Sequence, residues 1–208
     1  YYKNDGLLQA DARIRLWPED SPYIQPGTFG YPLEQRWLAN RSQSQNELAG
    51  LGWAENINSD PPGYHSTHDF GGAEGMDVII SATDGLVVSS RKEVLEGYED
   101  LPGDVRPDVV SVVDRRNWYY RYSHLDSVDP AIVPGAKIKM GQKIGLMGKQ
   151  GGSGGWVHLH FGVHSKNPET SLWEVEDAWP YLWQAYVHKY DPPVKAIARP
   201  RLLAWTGQ

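Results

Sequence analysis

The 208-residue chain has no cysteine, and this absence excludes disulfide bonds and thiolate metal sites. No run of 18 or more apolar residues occurs, so the sequence predicts no membrane-spanning helix. The formal net charge of -6 provides no basic excess, which argues against a nucleic-acid partner. Phenylalanine is also scarce, with three residues against nine tryptophans and twelve tyrosines. Most of the aromatic side chains therefore carry a polar group as well as a large apolar surface.

The pattern of hydrophobic residues predicts a mostly β protein. Short β-rich runs separated by glycines and turn residues follow one another from residue 77 to residue 164. Residues 108–125 read as a hairpin, and residues 91–107 read as a loop insertion. A helix is predicted only over 174–190, where Pro180 either begins it or kinks it. The spacing i, i+3, i+4, i+7 predicts that the helix packs four side chains against the core, those of Trp179, Leu182, Trp183 and Tyr186. We therefore expect an antiparallel β-sandwich or open barrel with long loops and one C-terminal helix.

The stretch "VHLHFGVH", residues 157–164, places histidines at alternate positions of a predicted strand. His158, His160 and His164 share one parity, and apolar residues occupy the other. The Cβ atoms of His158 and His160 would lie roughly 6–7 Å apart on one face. That spacing suits one metal ligand and one neighbour that reaches toward a bound water. We expect His164 to be an exposed polar residue at the end of the strand.

Six of the seven histidines fall into three short clusters, which is the main sign of a site. The first cluster, "GYHSTHDFGG", contains His65, His68 and Asp69. The second is "YRYSHLD", in which His124 follows a β-run, and the third is the histidine strand. Imidazole and carboxylate together suit a mixed nitrogen and oxygen zinc site, in which a water completes the coordination.

The order of these motifs resembles the lysostaphin/LytM-type zinc endopeptidases, which cut peptide cross-links in bacterial cell walls. The resemblance covers about residues 63–165. Its parts, in order, are His65 to Asp69, Gly75, residues 78–88, Tyr122 to Leu125, the glycine-containing run 135–148, the turn "GGSGG" at 151–155, and His158 to Phe161. Three departures stand out. Thr67 occupies a position where the family has glycine, His68 is an extra imidazole beside the site, and the segment 91–107 is longer than usual.

The resemblance implies a role for each clustered residue. His65, Asp69 and His160 would bind one zinc ion per chain, and His124 and His158 would be the catalytic histidines. Leu159 and Phe161 would hold the histidine strand in the core. In an alternative arrangement, His68 replaces His65 as a ligand and pairs with Asp77. The adjacent side chains of His68 and Asp69 diverge on a strand, which disfavours those two as a ligand pair. The alignment on His65 and Asp69 also brings Gly75 and Val78 into the register of the family. Tyr122 shares its parity with His124, so it either faces the cleft or packs in the core.

The same resemblance sets expectations for the whole chain. Residues 1–60 would form a loop-rich N-terminal segment packed on the core, 61–190 the zinc peptidase domain, and 191–208 an extension or linker. The substrate would be a peptidoglycan stem or cross-bridge peptide. We expect a monomer that is secreted, periplasmic or cell-wall associated, with its leader outside this sequence.

Two other functions remain open at this point. The first is a metal-free relative that only binds wall peptide or regulates another enzyme. The second is a carbohydrate-binding β-domain that uses the tryptophan and tyrosine surface. Zinc content discriminates the first from a peptidase, and glycan binding that persists in chelator would favour the second.

Overall fold

The computed structural model describes residues 28–35, 67–176 and 178–190. Within these ranges the structure has eleven strands and one helix, α1. In chain order they are β1 (His68–Gly71), β2 (Val78–Ile80), β3 (Gly85–Ser90), β4 (Glu93–Val94), β5 (Val110–Val113), β6 (Tyr119–Ser123), β7 (Leu125–Val128), β8 (Lys137–Ile138), β9 (Lys143–Met147), β10 (His158–Lys166), β11 (Trp173–Val175) and α1 (Trp179–Tyr190). The sequence also predicts a short strand at 12–17, and those residues lie outside the described ranges.

The strands form two antiparallel sheets that do not close into a barrel. The larger sheet has eight strands in the order β1-β10-β6-β5-β3-β4, with β11 beside β10 and β8 beside β3. The smaller sheet has the order β2-β9-β7. The predicted fold class, mostly antiparallel β with long loops and one C-terminal helix, is therefore confirmed.

The core lies against one face of the larger sheet. Leu159 and Phe161 on β10 are fully buried, as the alternation of residues 157–164 predicted. Tyr122 on β6 is also fully buried, and its hydroxyl accepts a hydrogen bond of 2.8 Å from the backbone N–H of Ala82. Tyr122 therefore packs in the core and does not face the cleft.

The hairpin predicted over 108–125 is present as β5 and β6. Asp114 fixes its turn, because Oδ1 accepts hydrogen bonds from the backbone N–H groups of Arg116 (2.7 Å) and Trp118 (3.2 Å). Asn117 adopts a φ of 61°, a left-handed conformation that asparagine tolerates better than most residues. The turn thus depends on one buried carboxylate at the end of the sheet remote from His124.

The helix is shorter than predicted, because residues 174–178 do not belong to it. Trp173–Val175 instead forms β11 and pairs with β10. Pro180 is the second residue of α1, where its missing N–H removes no helical hydrogen bond. Leu182 is buried and Tyr186 packs against the core, as does Trp183, and these contacts were predicted. The side chain of Trp179, predicted to join them, lies outside what the structure describes.

Residues 28–35 also enter the core. The ring of Phe29 stacks on Tyr181 of α1 with a centroid distance of 5.5 Å. Tyr31 meets Tyr186 edge to face at 5.3 Å. Phe29 also contacts Phe161, so this segment and α1 lie on the core face of β10, opposite to the side chains of its histidines.

The predicted loop insertion at 91–107 contains only the short strand β4. Its second half packs onto the larger sheet through Arg121 of β6, whose guanidinium donates a 2.6 Å hydrogen bond to the carbonyl of Asp104. Arg121 also pairs with the carboxylate of Asp104 at 2.5 Å. The segment around Asp104 is therefore attached to the face of the sheet that bears the histidines.

Candidate metal and catalytic site

Three strand ends bring four of the five predicted site residues together. Asp69 on β1 is paired directly opposite His160 on β10. His158 begins β10, and His124 lies between β6 and β7. The ring centroid of His124 lies 4.7 Å from that of His158 and 5.6 Å from that of His160. The fifth predicted residue, His65, lies outside the described residues.

Asp69 and His160 form the closest pair of this cluster. Their Oδ1 and Nδ1 atoms are 3.0 Å apart, and the Asp69 side chain is buried. Burial lowers the pKa of His160 below its usual value and outweighs the hydrogen bond and charge of Asp69, which favour the protonated ring. The His160 ring is therefore neutral near pH 7, which is the form in which imidazole binds a metal.

This pair fits a zinc ion. Two ligand atoms that each lie about 2.0–2.2 Å from zinc are roughly 3.3 Å apart in a tetrahedral site. The observed separation of 3.0 Å is close to that value. His124, His158 and His160 also each offer a nitrogen within 4.8 Å of the others, so three imidazoles form a second group that would suit a metal. The residues present therefore match the nitrogen and oxygen donors of zinc.

His124 reaches the cluster through an unusual backbone conformation. Its φ is 66°, in the left-handed region, at the point where the chain leaves the larger sheet and enters the smaller one. Simple alternation would place His124 on the same face as Tyr122, in the core. The left-handed residue interrupts this alternation, and the ring turns toward His158 and His160.

Hydrogen bonds fix which nitrogen of His124 carries the proton. Nδ1 lies 2.6 Å from the carbonyl oxygen of Gln150. Because a carbonyl only accepts hydrogen bonds, Nδ1–H is the donor. In the neutral ring Nε2 is then the nitrogen with a free lone pair.

The ring of His158 is held in the same way. Its Nδ1 lies 3.1 Å from the carbonyl oxygen of Trp156, and its Nε2 lies 3.7 Å from Oδ1 of Asp69. The indole of Trp156 stacks on the imidazole, with a centroid distance of 3.7 Å and an interplanar angle of 13°. Burial lowers the pKa of His158 to about 4 against the opposing charge of Asp69, so this ring is neutral at physiological pH.

Two of the three departures from the family pattern, Thr67 and His68, lie on different sides of β1. Thr67 touches the site, since its hydroxyl lies 2.8 Å from Nε2 and 3.0 Å from Nδ1 of His160. A glycine at this position would make neither contact. His68 is paired opposite Phe161, one residue out of step with Asp69, so its side chain leaves the opposite face of β1. Asp77 accepts a 2.7 Å hydrogen bond from the backbone of Ala73, and this arrangement does not favour His68 and Asp77 as a ligand pair.

The prediction that His164 is exposed is wrong. Its side chain is buried, because β10 continues to Lys166 with β6 on one side and β11 on the other. Burial, together with the charge of Arg121, lowers the pKa of His164 to about 3. His164 therefore lies in a part of β10 that is paired on both sides, and not at a frayed strand end.

Sequence reasoning missed three residues around the predicted site. Trp156 contacts His158, Asp108 contacts His124, and Arg106 pairs with Asp108. Asp108 Oδ2 accepts a 3.2 Å hydrogen bond from the backbone N–H of His124 and lies 3.7 Å from its Nδ1. The two residues are sixteen positions apart, with Asp108 before β5 and His124 after β6, so no local spacing indicates the contact. Trp156 follows the glycine-rich turn directly, and an aromatic residue just before His-x-His was the available signal.

Comparisons with known proteins identify the family of this chain. Residues 63–171 match Peptidase family M23, which is just over half of the chain, and the chain belongs to that family. A search of curated protein sequences found no match. No helix among the described residues is both long and apolar enough to cross a membrane.

Several solved structures are similar. The LytM protein of Ruminococcus gnavus, assigned as a glycyl-glycine endopeptidase, has 21% identity and a TM-score of 0.51, with 77% of this chain and 61% of that chain covered. The antimicrobial peptidase lysostaphin of Staphylococcus simulans has 24% identity and a TM-score of 0.45, with 62% and 48% covered. A zinc-containing peptidase of Vibrio cholerae has 24% identity and a TM-score of 0.43, with 65% and 36% covered. The chain thus spans less than two thirds of the length of each of these proteins, and the likeness to the Ruminococcus protein shows the shared fold.

Proposed function

We propose that this chain is a zinc-dependent endopeptidase that hydrolyses peptide bonds in bacterial peptidoglycan cross-links. Membership of Peptidase family M23 supports a hydrolase of the metallopeptidase class. The observation on which the proposal mainly rests is the 3.0 Å contact between Asp69 and His160, beside two imidazoles whose Nδ1 atoms both face carbonyl oxygens. Such a protein acts outside the cytoplasm, so we propose that it is secreted, periplasmic or cell-wall associated. We also propose that it is a monomer.

We assign His65, Asp69 and His160 as the ligands of one zinc ion. A zinc ion bound there would polarise the scissile carbonyl and activate water for attack. The buried Asp69 carboxylate supplies the negative charge that offsets part of the charge of the cation. Thr67 touches the ring of His160 and limits the orientations of that ring.

His124 and His158 are assigned to proton transfer. Each ring has its Nδ1–H bonded to a backbone carbonyl, so each presents Nε2 as the atom that gains or loses a proton. A neutral ring accepts a proton from the attacking water at Nε2. A ring that carries protons on both nitrogens donates Nε2–H to the oxyanion or to the departing amine.

The test is digestion of purified peptidoglycan by the full chain, with mass spectrometry of the released fragments and metal analysis of the protein. A peptidase releases fragments with new amino termini and loses this activity in chelator. Zinc-free protein that binds wall peptide without new termini would contradict the proposal and support a non-catalytic relative. Glycan binding that persists in chelator, without cleavage, would support a carbohydrate-binding domain.

A further inference from the structure

Asp108 is the centre of an ion-pair chain that ends at His124. Its side chain is buried, and its two carboxylate oxygens both accept hydrogen bonds from Arg106, from Nε to Oδ1 at 3.0 Å and from the terminal nitrogen to Oδ2 at 3.0 Å. Oδ2 also accepts the backbone N–H of His124 at 3.2 Å. The other terminal nitrogen of Arg106 pairs with Asp104 at 2.8 Å, and Asp104 pairs with Arg121. A continuous network thus connects the 91–107 insertion to His124.

The same arginine and aspartate also support the loop that fixes the His124 ring. Gly151 follows Gln150, whose carbonyl accepts Nδ1–H of His124. A Cβ atom on Gly151 would lie 2.8 Å from Nε of Arg106 and 2.9 Å from Oδ2 of Asp108. The backbone of the glycine-rich loop therefore packs directly on the Arg106–Asp108 pair, with Gly151 at a φ of 63°.

The charge of Asp108 is maintained despite burial. Burial alone would raise the pKa of Asp108, but hydrogen bonds from His124 and Arg106 and the charge of Arg106 hold that pKa well below its usual range. An ionised carboxylate therefore lies 3.7 Å from the nitrogen of His124 that carries the proton. Such an arrangement favours the Nδ1–H tautomer, in the way that outer carboxylates orient metal-site histidines.

His124 needs this support because its backbone is strained. A φ of 66° is unfavourable for a residue with a Cβ, and such conformations persist only where the surroundings impose them. The backbone N–H of His124 and the Nδ1–H of its ring are held by Asp108 and by Gln150 respectively. Asp108 makes the first of these two contacts, and the Arg106–Asp108 pair packs against Gly151, the residue after Gln150.

We propose that Asp108, locked by Arg106, is a positioning residue that sets the backbone conformation and the ring tautomer of His124. This inference rests on the proposed function only in giving His124 a catalytic role. Neither Asp108 nor Arg106 touches the reacting atoms in this assignment. Arg106 belongs to the 91–107 insertion, so the insertion contributes to catalysis through Asp108 and His124.

The experiment compares Asp108→Asn with Asp114→Asn in the full zinc-loaded chain. Asp114 is the matched control, because it is equally buried and pairs with Arg116 through two hydrogen bonds (2.8 Å and 2.5 Å) at the other end of the hairpin. Both carboxylate oxygens of Asp108 accept hydrogen bonds from N–H groups of Arg106 and His124. An asparagine at 108 replaces one oxygen by an amide N–H, which cannot accept a hydrogen bond, so at least one of these bonds is lost. We expect kcat of Asp108→Asn on peptidoglycan peptide to fall about 10- to 100-fold, with KM and zinc content unchanged. Asp114→Asn should retain the wild-type kcat.

A second measurement does not require activity. In protein with ¹⁵N-labelled histidine, the signal that disappears in His124→Ala reports the His124 tautomer at a pH where the ring is neutral. Wild type and Asp114→Asn should show the Nδ1–H form, and Asp108→Asn should show a mixture of both tautomers. If the wild-type chain cleaves no peptide, the proposed function fails while the tautomer still tests the positioning role.

Two outcomes would overturn the inference. One is an Asp108→Asn protein with wild-type kcat and an unchanged His124 signal. The other is an equal loss of kcat and of thermal stability in both asparagine variants, which would indicate a general structural role. If Asp108→Asn does not fold, Arg106→Gln replaces it, since Arg106 is partly exposed and its loss leaves Asp108 in place. The same fall in kcat and the same tautomer mixture are then expected.

Discussion

The histidines of the site differ in what their ring nitrogens contact, and the roles that we propose for them rest on this difference. Nδ1 of His160 faces the carboxylate of Asp69, whereas Nδ1 of His124 and of His158 face backbone carbonyls. A nitrogen that donates to a carbonyl has no lone pair for a metal. In the proposed assignment, Nδ1 of His160 would therefore bind the metal shared with Asp69, and the other two rings would use Nε2 for proton transfer.

This difference predicts that His160→Ala and His158→Ala fail in different ways. His160→Ala removes a proposed ligand, so zinc should be lost together with activity. His158→Ala leaves all proposed ligands in place, so zinc stays bound while turnover falls about 10²- to 10⁴-fold. His124→Ala should resemble His158→Ala. Metal analysis and initial rates on cell-wall peptide measure both effects, and equal zinc loss in all three variants would show that the imidazoles act together as a chelating group.

Trp156 should act through the orientation of His158. Its indole stacks on the imidazole at 3.7 Å, and such aromatic pairs contribute about 0.5–1.5 kcal/mol beyond burial. We expect Trp156→Ala to lower kcat by about 2- to 10-fold with zinc retained, since that energy no longer holds the ring. Trp156→Phe keeps a stacking ring and serves as the control. A Trp156→Phe protein as slow as Trp156→Ala would show that the indole has a different role.

At the scale of elements, the site depends on how β10 divides its side chains between two faces. The alternation in residues 157–164 was enough to predict that Leu159 and Phe161 enter the core and that His158 and His160 share the other face. It did not predict the burial of His164, because β6 and β11 pair with β10 at this position and both come from other parts of the chain. The contact of Asp108 with His124 could not be predicted either, because the two residues are sixteen positions apart in the chain.

The smaller sheet imposes a close approach that can be tested by stability. Gly145 on β9 pairs with Val128 on β7, and a Cβ atom on Gly145 would lie 2.1 Å from the carbonyl oxygen of Ser127. Because the obstacle is backbone, it does not move aside cheaply, and Gly145→Ala should lower the free energy of unfolding by about 1–3 kcal/mol. Gly152→Ala is the control, since a Cβ there meets nothing within 4 Å. Equal stability of the two variants in denaturant titrations would contradict the strand pairing of β7 and β9.

At the scale of the whole molecule, two segments outside the family match, residues 28–35 and α1, pack on the core and not beside the site histidines. Peptidase family M23 covers residues 63–171, whereas residues 28–35 and α1 lie beyond that range. They stack on each other through Phe29 and Tyr181 on the core face of β10. The helix could be located from sequence, but its start was placed too early, because nothing local indicated that Trp173–Val175 would pair with β10. The division of the chain at residues 60 and 190 stays a prediction.

The site joins β1, β10 and the β6–β7 junction, so a metal bound there should stabilise the whole chain and not one loop. A ligand that binds only the folded state adds about 2.7 kcal/mol at a concentration 100 times its Kd. We expect chelator to lower the unfolding temperature and abolish cleavage, and added zinc to restore both. His160→Ala is the control and should melt at the same temperature with or without chelator, because it lacks a proposed ligand. If wild type with measured zinc loss melts at an unchanged temperature, the metal is not held by residues that join these strands, and the assignment of Asp69 and His160 would be wrong.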